Sequence, residues 1–327
     1  MLSTDTRLTD LVANLKPGDP VPVPPEPPSE SEIIAGWEGE RDKPLLSIIC
    51  HTYNHADFIK DALNGFLMQK TVFPFEIIIH DDASVDGTDK ILMAYQSRYP
   101  HLIRLHIQEE NQYQKGLKPL GFSFPLAKGK YIAFCEGDDY WIDDQKCLKQ
   151  VALLESDPKV ALVFANSIPF SDGKILGKDF GGCTTDLTQE ELRRSPSIYT
   201  LTACFRNVLN CPIEGNFVGY GDLFMWSRLG EFGSGKYQQE VLPACYRVHA
   251  GGIHSMQDDR DTSFMLLKTY MAISAYYKRI GNPELEDVFL DKTLVTALNI
   301  MSVDRRLLPV MKLVTKVVYG LFRVFKT

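Results

Sequence analysis

The sequence has no cysteine pattern that would indicate a disulfide framework or a zinc site. Its seven cysteines are an odd number, without a Cys-x-x-Cys pair or Cys/His zinc spacing, which is typical of reduced core residues. It also shows no basic and apolar signal sequence at its start and no run of eighteen uncharged apolar residues. These absences predict a cytoplasmic protein that neither carries a secretion signal nor spans a membrane.

The chain also lacks an excess of basic residues. The chain has 42 acidic and 35 basic residues, a formal net charge of −7, which disfavours a nucleic-acid binder. Any phosphate of a substrate must then be met by local basic groups or by a metal ion. The hydrophobic content of 44% in 327 residues is ordinary for a soluble globular protein and allows one α/β domain with an appendage.

Composition divides the chain into three regions. Residues 1–43 form an N-terminal tail, in which the segment 17–28 holds seven prolines and is predicted to be an extended, poorly packed linker. One short amphipathic helix is predicted before it, with Leu8, Leu11, Val12 and Leu15 on one face. Residues 44–258 have the texture of an α/β domain, and residues 259–327 have that of a helical extension.

Within the α/β region, apolar runs alternate with amphipathic segments. The runs predicted as strands are Leu45–Cys50, Phe75–Ile79, Leu102–Ile107, Tyr131–Cys135 and Val160–Ala165. The segments predicted as helices are Ala56–Gln69, Thr88–Arg98 and Asp143–Glu155. This alternation is typical of right-handed βαβ units, so it predicts a mainly parallel central sheet with helices on both faces.

The C-terminal region shows helix patterns only, at Thr262–Lys278, Pro283–Met301 and Arg305–Phe325. The last of these is a broadly apolar helix with a narrow stripe that contains Lys312, Lys316, Arg323 and Lys326. A basic stripe on an apolar helix suits peripheral contact of residues 305–327 with an anionic membrane. The same periodicity fits packing on the α/β domain or on a second copy in a homo-oligomer.

Polar clusters follow three of the predicted strands: His51 to Asn54, Asp81 to Thr88 and Glu136 to Trp141. In an open α/β sheet the carboxyl ends of the strands converge, and ligands bind in the crevice beyond them. The third cluster is acidic and follows a buried strand, where its charge is costly without a counter-cation. The sequence therefore predicts a divalent metal ion that holds a phosphate group.

In this order and spacing, the three clusters resemble the TYN-type turn, the DD.S.DGT segment and the DxD-type metal motif of the family 2 glycosyltransferases of the GT-A fold. His51 replaces the usual proline of the turn, and Ala83 stands where glycine is frequent. Further along, Gly221 to Trp226 and Tyr246 to Ile253 resemble the GD(W/Y)…YRxHxGG block of family members from bacterial polysaccharide biosynthesis. The resemblance covers residues 44 to 255, about two thirds of the chain, and implies an α/β GT-A fold with a C-terminal helical extension.

The resemblance assigns donor-site roles to the first half of the chain. The residues implied to line the nucleotide of a sugar donor are Thr52, Tyr53, Asn54 and Asp82. Asp138 is implied to coordinate the Mg²⁺ or Mn²⁺ ion that bridges the donor diphosphate, and Asp139 to be either a second ligand or a helix cap. Glu136 replaces the more usual first aspartate of the motif, and its longer side chain would reach the metal through water or contact the donor sugar.

The second half supplies the remaining candidates. Asp222 is implied to be the catalytic base, and one base with a metal suffices for an inverting transfer; the alternative for Asp222 is an ordinary helix cap after Gly221. Arg247 and His249 alternate, so on an extended segment they face the same side, where they would clamp the donor phosphates or the metal. His249 is therefore also a candidate metal ligand.

The function implied is a metal-dependent inverting glycosyltransferase. The nucleotide-sugar donor is expected to be a UDP-sugar, with dTDP and GDP sugars as alternatives. The acceptor is expected to be a glycan or a lipid-linked glycan at the cytoplasmic membrane face. One alternative is a nucleotidyltransferase, which would need a Gly-rich phosphate loop with Lys or Arg after the first strand; residues 51–57 contain none of these. Another is a catalytically silent binding scaffold of the same fold. Loss of Asp138 or Asp222 would favour it, and both residues are present.

Overall fold

The computed structural model of the protein describes residues 12–178, 180–252 and 259–303. Internal contacts divide the chain into two units, of which the first comprises Met1–Pro212 and Met225–His249 and the second comprises Ile213–Phe224 and Ala250–Thr327. The predicted boundary between residues 258 and 259 stays a prediction. The predicted helix Arg305–Phe325 lies outside the described residues, as do Leu8 and Leu11 of the predicted N-terminal helix.

Ten strands are formed by the described residues of the first unit. They are β1 (Leu46–Thr52), β2 (Phe75–Asp81), β3 (Ile103–Ile107), β4 (Tyr131–Phe134), β5 (Val160–Phe164), β6 (Ser167–Ser171), β7 (Lys174–Ile175), β8 (Cys204–Arg206), β9 (Ser234–Tyr237) and β10 (Ala244–Arg247). Seven make a central sheet in the order β3-β2-β1-β4-β8-β5-β9, and three make a small sheet in the order β10-β6-β7. In the central sheet only β8 runs antiparallel to its neighbours, so the predicted mainly parallel sheet is confirmed.

The helices of the described residues are α1 (Glu30–Ala35), α2 (Ile59–Leu67), α3 (Thr88–Arg98), α4 (Leu120–Ser123), α5 (Lys146–Ser156), α6 (Gln189–Arg193), α7 (Gly221–Leu229), α8 (Asp259–Arg279) and α9 (Pro283–Val303). Short 3-10 helices occur at Phe124–Leu126, Thr200–Thr202 and Ile213–Asn216. The five predicted strands and the helices α2, α3, α5, α8 and α9 are confirmed, with ends that differ by up to three residues. The helix α3 has the predicted bounds.

The core of the first unit explains why these elements form. Every residue of β2, β4 and β5 is buried, as expected for parallel strands that are covered on both faces. The helix α2 presents seven buried residues to this core. At Gly65 it comes so close to the chain that an added Cβ would lie 2.9 Å from both the backbone N and the backbone O of Trp141. A glycine is therefore required where α2 packs on the segment that follows the acidic motif.

The prediction that the proline-rich segment 17–28 is poorly packed is wrong for part of the segment, since most of its residues are exposed but three are buried. Buried residues within it are Val21, Pro24 and Pro27. The Tyr140 hydroxyl donates a hydrogen bond of 2.9 Å to the Pro22 carbonyl, and the Tyr99 hydroxyl donates one of 2.9 Å to the Pro28 carbonyl. The physical reason is that prolines lose only the backbone donor, so their carbonyls remain available to satisfy buried tyrosine hydroxyls.

The second unit is built around the helices α8 and α9. Its buried cluster consists of Val218, Phe224, Ala272, Ile273, Tyr276, Tyr277, Leu285 and Phe289. The Arg279 guanidinium donates two hydrogen bonds to the Glu214 carboxylate, at 2.5 and 3.0 Å. Among the described residues of the whole chain, none of the helices combines the length and the apolarity needed to cross a bilayer.

Candidate active site

The three polar clusters converge at one edge of the central sheet, as predicted. Strand β1 lies between β2 and β4, and the pairing continues past the strand ends. The Asp82 backbone N–H donates to the Thr52 carbonyl at 3.0 Å, and the Gly137 N–H donates to the His51 carbonyl at 2.9 Å. A Cβ at Gly137 would lie 2.9 Å from the Thr52 Cβ, so only glycine lets the acidic motif approach β1 this closely.

Asn54 ties the turn after β1 to the turn after β2. Its backbone N–H donates to the Ser84 hydroxyl at 2.8 Å, and its side-chain oxygen accepts the Val85 N–H at 2.9 Å. Its φ of +55° is in the left-handed region, which asparagine tolerates better than most residues. Asn54 is thus placed to support the site, and its contact with a donor stays a prediction.

Asp86 joins the same two turns and lies two residues before the helix α3. Its Oδ2 accepts the Ala56 N–H at 2.9 Å, and its Oδ1 accepts the Thr88 N–H at 3.0 Å. Asp86 thus forms a turn directly ahead of the helix, whose N-cap is Gly87 without a side-chain cap hydrogen bond. The neighbouring Ala83, where glycine is frequent in the family, has a φ of +64°, which a glycine would adopt without steric cost.

Asp82 is buried and holds a loop. Its Oδ1 accepts the Gln112 backbone N–H at 2.8 Å, and its Oδ2 accepts the Tyr113 N–H at 3.0 Å. The predicted contact of Asp82 with a nucleoside is not tested by this arrangement, because a carboxylate has further lone pairs. Beside it, the Tyr53 ring is 39% exposed, and the buried Thr52 Oγ1 has no hydrogen-bond partner among the described residues.

Beyond these turns, His55, Asp138 and His249 form a compact cluster. Each offers one ligand atom, and the three atoms lie within 4.8 Å of one another. The Asp138 Oδ2 is 3.0 Å from the His249 Nε2 and 3.8 Å from the His55 Nε2. The His249 ring packs on Phe58 with a centroid distance of 4.6 Å. Two of the predicted site residues, Asp138 and His249, are therefore brought together, and His55 joins them.

The electrostatics of the cluster favour a neutral His55 beside an ionised Asp138. Burial lowers the pKa of His55 below its ordinary value, against the opposing charge of Asp138. Burial opposes ionisation of Asp138, but its hydrogen bond with His249 contributes to holding the pKa of Asp138 below its usual value. A neutral imidazole and a carboxylate are the protonation states that bind metal ions.

Arg247 supports Asp138. Its Nε donates to the Asp138 backbone carbonyl at 2.8 Å, and its Nη2 donates to the Asp61 carboxylate at 2.6 Å. The guanidinium carbon lies 4.6 Å from the Phe58 ring centroid and 4.7 Å from that of Phe170. The predicted contact of Arg247 with donor phosphates stays a prediction, whereas its contacts with Asp138 and Asp61 position the acidic motif.

Asp139 lies outside the cluster. Its Oδ1 accepts the Arg247 backbone N–H at 2.7 Å, so it fastens β10 to the acidic motif. Burial, followed by the negative charges of Asp138 and Glu136, raises the pKa of Asp139 well above its ordinary value. The hydrogen bond gives Asp139 a structural role between β10 and the acidic motif, and its predicted contact with a metal stays a prediction. Glu136 itself is only partly buried.

The remaining predicted residue, Asp222, lies in the first turn of α7 and belongs to the second unit. Its role as a base stays a prediction. Sequence reasoning missed His55, Phe58 and Asp61. A signal for His55 existed, because it directly follows the TYN turn at the carboxyl end of a strand, where ligands bind.

The cluster has the chemistry of a metal site. The His55 Nε2 faces the Asp138 carboxylate at 3.8 Å, while the His55 Nδ1 is buried and has no hydrogen-bond partner in the described part of the chain. The donor set is two imidazole nitrogens and one carboxylate oxygen. Mg²⁺ prefers oxygen ligands, whereas imidazole nitrogens suit transition metals, so two imidazoles make this donor set unusual for Mg²⁺.

The chain is similar in sequence to glycosyltransferases. Residues 47–207 match the sequence profile described as glycosyl transferase family 2. A protein of Mycobacterium tuberculosis named as uncharacterized is 33% identical over 228 residues, which are 66% of this chain and 62% of that protein. A UDP-Glc:alpha-D-GlcNAc-diphosphoundecaprenol beta-1,3-glucosyltransferase of Escherichia coli is 28% identical over 215 residues, which are 64% of this chain and 79% of that enzyme. The chain thus spans less than two thirds of the mycobacterial relative.

A solved structure shares the fold. A mannosyltransferase of Pyrobaculum calidifontis in complex with GDP-Man and Mn²⁺ superposes with a TM-score of 0.51 at 18% sequence identity. The superposition covers 89% of this chain and 81% of that one. The predicted GT-A fold is confirmed.

Proposed function

We propose, on the premise that the chain belongs to glycosyl transferase family 2, that it moves a sugar from a nucleotide-diphosphate sugar to a hydroxyl group of a cell-surface glycan under construction. The observation that carries this proposal is the cluster of His55, Asp138 and His249 at the carboxyl edge of the sheet. That edge is where α/β folds bind nucleotides. The turns that hold Thr52 and Asp82 lie at the same edge.

The residues of the cluster have distinct tasks in this proposal. His55, Asp138 and His249 would hold Mn²⁺, which when bound neutralises the charge that develops on the leaving diphosphate. Arg247 fixes the backbone of Asp138, so that the carboxylate stays directed toward the cluster. Asp222 takes the proton from the acceptor hydroxyl, and because an inverting transfer needs only one carboxylate base, no nucleophilic residue is required.

The names of the relatives support a finer proposal. The E. coli relative is named for UDP-Glc as donor and for a diphosphoundecaprenol-linked acceptor. We therefore favour a UDP-sugar as donor and a lipid-linked glycan as acceptor, which would set the protein to work at the cytoplasmic face of the membrane. The mannosyltransferase with the same fold binds GDP-Man, so a GDP-sugar is the alternative donor.

A thermal-shift panel tests the proposal. UDP, dTDP, GDP and CMP sugars are each added with Mn²⁺ and with EDTA, and one nucleotide class is expected to raise Tm by several degrees with Mn²⁺ only, because a ligand at 100 times its Kd stabilises the native state by about 2.7 kcal/mol. Asp138→Ala should lose the shift. Asp222→Asn should keep it while transfer falls by about 10²- to 10⁴-fold.

The control is Asp42→Ala, which removes an exposed carboxylate and should behave as the wild type. Wild-type transfer rates in Asp138→Ala or Asp222→Asn would defeat the assignment of that residue. If no nucleotide sugar shifts the wild-type protein under either condition, a catalytically silent scaffold of the same fold becomes the better account.

A further inference from the structure

The beginning of α2 contacts two residues of the candidate site that come from far along the chain. Phe58 directly precedes this helix, and Asp61 lies in its first turn. The Phe58 ring packs on the His249 ring with a centroid distance of 4.6 Å. The Asp61 carboxylate accepts a hydrogen bond of 2.6 Å from the Arg247 Nη2, 186 residues further along the sequence. One turn of helix therefore holds both side chains of the alternating pair Arg247 and His249.

The Arg247 guanidinium links Asp61 to the acidic motif. While its Nη2 donates to Asp61, its Nε donates to the Asp138 backbone carbonyl at 2.8 Å. The guanidinium is planar and presents its donors in a rigid fork, so a bond that fixes Nη2 also fixes the direction of Nε. The Asp61 carboxylate thus determines where Arg247 holds the backbone of Asp138.

Aromatic rings restrict the guanidinium as well. Its carbon lies 4.6 Å from the Phe58 ring centroid and 4.7 Å from that of Phe170, which are distances of cation–π contacts. The Arg247 side chain is 14% exposed and the Asp61 side chain 33%. A mostly buried cation that loses its carboxylate partner is left unpaired at a cost in free energy. Without Asp61, we therefore expect Arg247 to turn toward water and to release the Asp138 carbonyl.

We propose that Asp61 is a positioning residue of the metal site, which acts through Arg247 on Asp138. The inference rests on the proposed function, in which Asp138 and His249 hold Mn²⁺ together with His55. Partners that stand behind the ligands of a metal commonly change its affinity by 10- to 100-fold. Asp61 is such a partner at one remove, because its hydrogen bond is made to the arginine that holds a ligand and not to the ligand itself.

Calorimetric titration of the full-length protein with Mn²⁺ tests the proposal. Asp61→Leu removes the acceptor of the Arg247 Nη2 at similar volume and should weaken Mn²⁺ binding about tenfold. Asp61→Asn keeps an oxygen that can accept this bond and should restore most of the affinity. The matched control is Glu190→Leu, which removes an arginine-paired carboxylate from the first turn of α6 and should leave the Kd for Mn²⁺ unchanged.

A second variant separates positioning from a general loss of stability. Arg247→Lys keeps the charge but loses the planar fork that joins Asp61 to the Asp138 carbonyl, so it should weaken Mn²⁺ binding by a similar factor. Adding Asp61→Leu to Arg247→Lys should then weaken it little further, because the effects of residues that act through one contact do not add. Urea unfolding of the same variants shows whether each is folded during the titration, and a purely structural role of Asp61 would lower the unfolding midpoint without changing the Kd.

The results distinguish this proposal from the proposed function. If the wild type binds no Mn²⁺, the metal site itself is wrong and the role of Asp61 is overturned with it. If the wild type binds Mn²⁺ and folded Asp61→Leu binds it equally well, the role of Asp61 alone is overturned. Losses of affinity that add fully in the double variant would also overturn it, since Asp61 and Arg247 would then act independently.

Discussion

Asp138 is the residue around which the candidate site is built. Its carboxylate contacts His249, lies beside His55, and its backbone carbonyl is fixed by Arg247. His249 and Arg247 are each more than one hundred residues away from Asp138 in the sequence. The site therefore depends on the fold as a whole to hold one carboxylate between two imidazoles. Groups around a metal site orient its ligands in this way.

The role of His55 can be separated from that of Asp138. His55→Ala is expected to weaken Mn²⁺ binding by at least about tenfold, because losing a supporting group of a metal site commonly costs 10- to 100-fold in affinity. The measurement is a calorimetric titration of the purified protein with Mn²⁺, which does not depend on transfer activity. His101→Ala is the control, since the His101 side chain is 78% exposed and pairs with Glu30. Unchanged affinity in His55→Ala would remove this residue from the metal site.

At the scale of elements, the packing of α2 on the segment after the acidic motif is the tightest constraint near the site. Trp141 is fully buried, its Nε1 donates to the Leu201 carbonyl at 2.7 Å, and the Lys146 ammonium lies 4.2 Å from its ring centroid. Gly65 touches the backbone of this residue. Since Trp141 cannot move, an added methyl group must displace α2.

Gly65→Ala is therefore expected to destabilise the protein by about 1–3 kcal/mol through overpacking, although alanine is the better helix former. The matched control is Gly121→Ala in α4, where a new Cβ would meet no described atom within 4 Å. The control should stabilise the protein by up to about 1 kcal/mol. The free energy of unfolding of both variants is measured by urea denaturation. If both variants gain the same stability, the contact of residue 65 with Trp141 relaxes without a loss of stability.

Long apolar runs were predictable from the sequence, and short irregular elements were not. The strands β1, β2, β4 and β5 are mainly apolar segments, and β3 alternates apolar residues with Arg104 and His106; both patterns are strong local signals. The strand β8 has three residues and β7 has two, so neither gives a period to recognise. Such short strands form because the neighbouring strands of the sheet offer unpaired backbone N–H and C=O groups. Which strands become neighbours is decided by the tertiary fold and cannot be recognised in a local stretch of sequence.

The candidate site shows the same division. Asp138 and His249 could be predicted because they belong to recognisable motifs. The surroundings of Arg247 could not, because Phe58 and Asp61 approach it only in the folded chain. These neighbours make Arg247 a support for the acidic motif, and its predicted contact with donor phosphates stays a prediction.

At the scale of the whole molecule, a row of histidines couples stability to pH. His51, His80 and His106 lie in register on β1, β2 and β3, and the His80 ring stacks on His106 and on Phe122. Burial lowers the pKa of His80 to about 4. Burial, and then the neighbouring His80, holds the pKa of His51 well below its ordinary value. The folded protein thus keeps these two rings neutral under conditions in which an unfolded chain protonates them.

The free energy of unfolding should fall as the pH falls from about 6.5 toward 4. In this window the unfolded chain binds protons that folded His80 does not, so stability is full above the unfolded pKa and is lost below it. His80 alone accounts for up to about 3 kcal/mol at pH 4, at about 1.4 kcal/mol for each unit of pKa. Urea unfolding at a series of pH values should give a shallower slope for His80→Phe, whose ring can still stack on Phe122. Gly121→Ala changes no titratable group and should shift the curve without changing its slope. Parallel curves for the wild type and His80→Phe would show that this histidine already carries a proton in the native state.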